Sequence, residues 1–208
     1  MSKHSTVWLE WVKRLQAISQ SGLTYAKDVY DIERYEQLRD LSLEMMNKYT
    51  DMEIEQIRDL FAGETGYATP KVDIRGVVFR NDRILMVREK SDGGWSLPGG
   101  WADIGISPGE TATKEIKEES GFDTTPARLL AVLDKAKHNH PPSAYHIYKI
   151  FIRCEIVGGQ ASGGMETSDV RFFSEDSLPP LSLERNTEFQ IKLMFEFLKD
   201  PGKAPVFD

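Results

Sequence analysis

The chain has a single cysteine, Cys154, in 208 residues, so no internal disulfide can form. It lies in the apolar run "YKIFIRCEIV", the setting of a core residue, and one free thiol suits a reducing compartment. No segment approaches the roughly 18 consecutive apolar residues of a membrane span. The opening "MSKHSTVWLEWVKRLQ" carries charge within its apolar stretch, which excludes a secretory signal. The expectation is a cytoplasmic protein with no membrane partner. Internal repeats and low-complexity segments are also missing. Positive charge is in short supply: 26 Lys and Arg face 33 Asp and Glu, a net charge of −7, which argues against general binding to nucleic acid. A polyanionic substrate would need a metal ion or local arginines to approach. What remains, 40% hydrophobic and 28% charged, is an ordinary globular composition.

The texture changes near "GETGYATP", Gly63 to Pro70, and the expected division is residues 1–66 and 67–208. The first part reads helical. "STVWLEWVKRLQAISQSG" offers a Ser5 cap, then Trp8, Leu9, Val12, Leu15 and Ile18 at helical spacing, with a stop near Gly22. In the next helix Val29, Ile32, Tyr35, Leu38, Leu41 and Met45 form one stripe, and a third helix runs from Asp51 to Gly63. So short a helical region buries such stripes poorly by itself, which points to packing on the rest of the chain or on a second copy. Residues 1–70 hold 8 basic against 12 acidic side chains, the wrong sign for a helix-turn-helix reader of phosphates. A docking or homodimerisation element is the preferred reading.

After Pro70, "KVDIRGVVFRN" and "RILMVREK" alternate around "NDR", a hairpin signal. "WSLPGGWADIG" is rich in turn formers. "PGETATKEIKEESG" is a helix with Pro108 near its start, Glu110 in its first turn and Gly121 as its stop. "ARLLAVLDKAK", "AYHIYKIFIRCEIV" and "DVRFFS" read as strands, and "ERNTEFQIKLMFEFLKD" as a closing amphipathic helix. This mixture predicts an α+β fold with a mixed sheet.

The helix "KEIKEESGF" crowds Glu115, Glu118 and Glu119 into five positions. Glu115 shares a face with residues three and four further on, and like charges at that spacing cost roughly 0.2–0.5 kcal/mol per pair. A basic partner, solvent or a divalent cation could each relieve the repulsion, since hard cations take oxygen ligands. The helix follows the glycine-rich loop "LPGGWADIG", whose backbone can approach a ligand closely. Together they make an oxygen-rich place where Mg²⁺ could meet a phosphate.

The whole stretch "GGWADIGISPGETATKEIKEESGF", Gly99 to Phe122, resembles the Nudix box: glycine, five residues, glutamate, seven residues, then Arg-Glu-apolar-any-Glu-Glu-any-Gly-apolar. Counted from Gly100, Glu115, Ile116, Glu118, Glu119, Gly121 and Phe122 fit. Two positions depart: Ile106 replaces the early glutamate, and Lys114 replaces the arginine, keeping the charge without the bidentate fork. The resemblance extends over roughly residues 70–200. With its helical leader, the chain is similar to a bacterial subgroup that includes CDP-choline and ADP-ribose pyrophosphatases.

The resemblance implies an α/β/α sandwich around a mixed sheet, and Mg²⁺-dependent hydrolysis (Mn²⁺ a possible substitute) of a nucleoside diphosphate joined to another moiety. It makes Glu115, Glu118 and Glu119 the metal-ligating and catalytic set, with the Gly100 carbonyl as a further ligand. Glu166, in "GGQASGGMETSD", is either the base, a metal-linked carboxylate or an exposed loop glutamate. Asp103 either reaches the metals or shapes the turn. Arg88 is a phosphate clamp or a strand-end arginine, and Arg75 is a weaker candidate. Trp101 stacks on a base or packs on the sheet. His138 and His140 lack the cysteines of a structural zinc site, and His140 touches the nucleotide or belongs to a surface turn. CDP-choline is the expected substrate, with ADP-ribose or a nucleotide sugar as alternatives and RNA ends a minority reading. A nucleotide sensor without hydrolysis is the non-enzymatic alternative.

Overall fold

The computed structural model describes residues 7–50, 56–57 and 66–208. The chain divides into two compact units: residues 1–70 with 142–146, and residues 71–141 with 147–208. In the first unit, α1 (Val7–Tyr25) and α2 (Val29–Tyr49) pack together, with Asp28 capping α2 through its side chain. Leu9, Val12, Leu43, Met46 and Ile57 form its apolar core. The expected stripes are rotated from those observed. Ile18 and Leu41 are exposed, while Gln16, Ser19 and Ser42 are buried. A hydrogen bond from Ser42 Oγ to Gln16 Oε1 (3.3 Å) satisfies polar groups in this seam. Gly22 does not end the first helix. It lies inside α1, where a Cβ would come within 2.4 Å of the Tyr35 ring, so its role is close approach of two helices. The Ser5 cap lies outside the described residues, as does the expected third helix except for helical Gln56 and Ile57.

The second unit is built on two sheets. The first has the order β5 (Gly99–Trp101), β1 (Lys71–Val77), β7 (Ile147–Gly159), β6 (Phe122–Asp134), β9 (Val206–Phe207). It is mixed: β1 runs parallel to β7 and antiparallel to β5, while β6 is antiparallel to β7 and parallel to β9. The second sheet pairs β3 (Arg83–Glu89) with β2 (Phe79–Arg80), β4 (Trp95–Ser96) and β8 (Thr167–Phe173), all antiparallel. Asn81 and Asp82 both adopt positive φ in the turn between β2 and β3, as a tight hairpin of this kind demands. Two elements depart from expectation. "KVDIRGVVFRN" is split into β1 and β2, and the turn-rich "WSLPGGWADIG" contains the short strands β4 and β5.

Alternation along β1 and β7 sends successive side chains to opposite faces. Ile74, Ile152 and Cys154 meet Ala112 and Ile116 of α3 (Pro108–Ser120). Val77 and Phe151 meet Ile191, Met194 and Phe195 of α4 (Glu188–Lys199). The fold is thus the expected α+β sandwich. A capping box between Ser107 and Glu110 fixes the start of α3, and Gly121, with φ 78°, closes its end. These caps set the height at which the glutamates stand over β5.

Candidate active site

Helix α3 lays Glu115 and Glu119 against the β1–β5 edge, where Gly100 pairs with Ile74 and Gly99 with Arg75. The Gly99 N–H donates to Glu119 Oε2 at 3.0 Å. A Cβ on Gly100 would stand 3.1 Å from Glu115 Oε2, so the bare backbone gives that carboxylate its room. At Gly99 a Cβ would fall 2.0 Å from the Ile74 carbonyl oxygen, and φ is 151°. Only glycine fits there.

The two acids share a poorly solvated place. Burial pushes the Glu119 carboxyl up to about 8, against the pull of Arg75 and the Gly99 N–H, and the nearby Glu89 and Glu115 add to the rise. Burial also raises Glu115, Lys114 opposing. Glu118, although adjacent in sequence, turns outward with its side chain 58% exposed. Lys114 sits among the acids of the loop and helix: Nζ is 2.7 Å from Asp103 Oδ2 and 3.9 Å from both Glu115 and Glu118. Asp103 is therefore an anchor for Lys114.

Among the described residues, no three His, Cys, Asp or Glu side chains already converge as a finished metal site. The residues nevertheless fit a hard divalent cation. Glu115 and Glu119 offer only oxygen donors beside a loop whose backbone is bare, and a cation would offset the cost of burying two like charges.

The loop before β8 sits on the C-terminal end of α3. Gly164 lies so close that a Cβ would be 2.1 Å from the Glu118 carbonyl oxygen. Thr167 Oγ1 donates to the Glu119 carbonyl (2.7 Å), Ser162 N–H to the Ser120 carbonyl (2.9 Å), and Lys90 Nζ to the carbonyls of Gly164 and Met165 (3.1 and 2.9 Å). These contacts fasten the loop to the helix. Glu166 is exposed on it.

The other expected residues are spread over the unit. Arg75 is 5% exposed and wholly engaged: Nε and Nη2 donate to Asp73, Nη1 to the Leu97 carbonyl. Burial raises the Asp73 carboxyl, but Arg75 and a fully buried Lys149 outweigh it and hold Asp73 below its ordinary value. Arg75 thus faces Asp73 and the site's glutamates, which makes a direct grip on substrate a poor use of it. Arg88 is exposed, and its Nε donates to the Gly93 carbonyl at 3.0 Å. Trp101 is half exposed at the end of β5. His140 is pushed down to about 4 by burial, with its ring against the Leu183 carbonyl (2.7 Å) and Gln190 Oε1 (3.0 Å). It belongs to the packing around α4, away from the zinc-like use of histidine.

Sequence reasoning missed Glu89. It is 1% exposed, joined to Arg185 (2.8 Å) and Ser96 (2.6 Å), and close enough to Glu119 to repel it. Apart from a carboxylate ending an apolar strand, the sequence carries no signal for it.

Residues 69–197 match the NUDIX domain, and residues 6–61 match a UDP-X-like, N-terminal oligomerisation domain. A Bacillus subtilis protein, YjhB, named provisionally as an ADP-ribose pyrophosphatase, is 58% identical over 208 residues, covering 100% of both chains. A solved ADP-ribose pyrophosphatase from Streptococcus suis shares 44% identity, covering 67% of this chain and 100% of its own, with a TM-score of 0.62. A solved UDP-X diphosphatase shares 35% identity over 98% of this chain and 99% of its own, with a TM-score of 0.64.

Proposed function

Because the chain belongs to the Nudix family of hydrolases, we propose that it uses Mg²⁺ to cleave the pyrophosphate of a small nucleoside diphosphate derivative, with ADP-ribose the foremost candidate. The observation that carries this reading is the pair of glutamates, buried Glu119 and half-buried Glu115, set against the Gly99–Gly100 backbone with carboxyls displaced upward. Glu115 and Glu119 would hold the cation, Glu118 would join from the outer side of the helix, and the Gly100 carbonyl would complete the oxygen set. The cation supplies charge neutralisation for the phosphates and a more acidic water. The chain's own part is to fix the carboxylates: Gly99 N–H orients Glu119, and Lys114 spans Asp103, Glu115 and Glu118. Glu166 remains the base candidate, carried by a loop tied to α3. Arg88 and Trp101 are the exposed groups that could meet phosphate and base.

On the substrate, the full-length likeness to YjhB and the likeness to the S. suis enzyme favour ADP-ribose. The near-complete coverage of a UDP-X diphosphatase supports a UDP-linked compound as the second reading. CDP-choline would need aromatic faces around its quaternary ammonium. Trp95 is 7% exposed and packed edge-on against Phe173, so it cannot wall an open cage for a quaternary ammonium. The N-terminal unit is proposed to pair two copies of the chain. It exposes Trp11, Ile18, Tyr25, Val29 and Tyr30, an apolar set that suits burial by a partner.

The test is release of nucleoside monophosphate from ADP-ribose, UDP-sugars, CDP-choline and capped RNA, with Mg²⁺ and with EDTA. Metal-dependent cleavage of ADP-ribose at least tenfold better in kcat/KM than CDP-choline is expected, about 1.4 kcal/mol in transition-state binding. Tight nucleotide binding without cleavage of any of them would replace the enzyme by a sensor.

A further inference from the structure

Glu89 ends β3 inside the protein, and its two oxygens are treated differently. Oε1 accepts from Ser96 Oγ at 2.6 Å and is ion-paired with Arg185, whose Nε lies 2.8 Å away. Oε2 is buried and, among the described residues, has no hydrogen-bond partner. A buried carboxylate oxygen left without a donor is costly, and such an atom usually marks a place for water or an ion. Its charged neighbours narrow the choice. Arg75 attracts Glu89, but its hydrogen bonds go to Asp73 and the Leu97 carbonyl. Glu119 repels it, and once ionised as a cation ligand it has no proton to donate. Lys90, next in the chain, spends its ammonium on Gly164 and Met165. With these groups engaged elsewhere, Oε2 is open to a donor from a small molecule such as water.

Resting on the reading of Glu115 and Glu119 as cation ligands, we propose that Glu89 is a positioning residue for that cation. Its free Oε2 receives a hydrogen bond from a water bound to the ion. Ser96 and Arg185 clamp the other oxygen, so the carboxylate cannot rotate away. Arg185 is itself steadied by Ser182 Oγ at 3.3 Å, and Ser182 by Asp92 at 2.7 Å. The chain from Asp92 to Glu89 would thus hold that carboxylate in place for the ion, and outer partners of this kind are typically worth about 10–100-fold in metal affinity or activity.

The experiment is Mn²⁺ titration of the full chain followed by electron paramagnetic resonance, beside kcat, KM and thermal melting, for wild type and Glu89→Gln. The expected result is Mn²⁺ affinity and kcat each lowered about tenfold, KM within about twofold and a fold that still melts cooperatively. Unchanged Mn²⁺ affinity and kcat would overturn the inference while leaving the hydrolase reading intact. Wild-type protein that binds no Mn²⁺ would remove the cation reading and this inference with it. Should Glu89→Gln not fold, Arg185→Gln at the more exposed end of the clamp decides the matter. It frees the carboxylate to turn, and a loss of about three- to tenfold in Mn²⁺ affinity supports the proposal, whereas wild-type affinity refutes it.

Discussion

Glu119→Gln should make the metal-free protein more stable while abolishing its turnover. The carboxyl of Glu119 lies at about 8 in the folded chain against an ordinary 4.5. A group whose value rises on folding contributes its full stability below 4.5 and loses it as the pH climbs to about 8, because ionisation must then occur in a buried place. At about 1.36 kcal/mol per pH unit, the penalty reaches roughly 2 kcal/mol at pH 6 and roughly 5 kcal/mol above pH 8, an upper figure since relaxation and entering water reduce it. Glutamine carries no such penalty, and its side-chain oxygen can still accept from the Gly99 N–H. In EDTA, urea denaturation of the two proteins should therefore show a gap that widens from pH 5 to pH 8.5 in favour of Gln. Saturating Mg²⁺ should close the gap or reverse it, because the ion stabilises only a chain that can bind it. A Gln variant that is equally destabilised at pH 6 and pH 8.5 would refute the reasoning, since it would make Glu119 an ordinary packing residue.

Gly100→Ala should leave the fold within about 1 kcal/mol and lower kcat by about tenfold, because the new methyl would press on the flexible end of Glu115 at 3.1–3.3 Å and displace a ligand. Melting curves beside initial rates check this, and an undiminished rate would show that Glu115 has no fixed station. In the N-terminal unit, sedimentation should show a dimer at micromolar concentration. Trp11→Glu, at a tryptophan 56% exposed on α1, should shift the protein toward monomer without unfolding it, and a monomeric wild type would remove the homodimer proposal.

The parts of this molecule that announce themselves in sequence are those whose signal is local. The start and stop of α3 follow from Pro108, Glu110 and Gly121, and the long strands β6 and β7 from their extended apolar runs. The strands β4 and β5 were hidden because two or three residues cannot display alternation, and glycine-rich sequence reads as turn. The helical stripes of α1 and α2 were rotated because their seam is filled by Gln16, Ser19 and Ser42 rather than by the largest apolar side chains. The glutamate helix shows how far spacing carries. With about 100° per residue, Glu119 falls roughly 40° from Glu115 toward the buried Ile116, while Glu118 falls roughly 60° away on the other side. Spacing alone names three candidates; the direction of the apolar face separates the inward pair from the exposed third. Nothing comparable could have found Glu89, Arg185 and Ser96. They come from β3, the segment before α4 and β4, and only the pairing of β3 with β4 and the turn at Ser182 bring them together. A carboxylate buried by tertiary pairing has no period and no motif. Its mark is the unsatisfied oxygen, and that mark exists only in three dimensions.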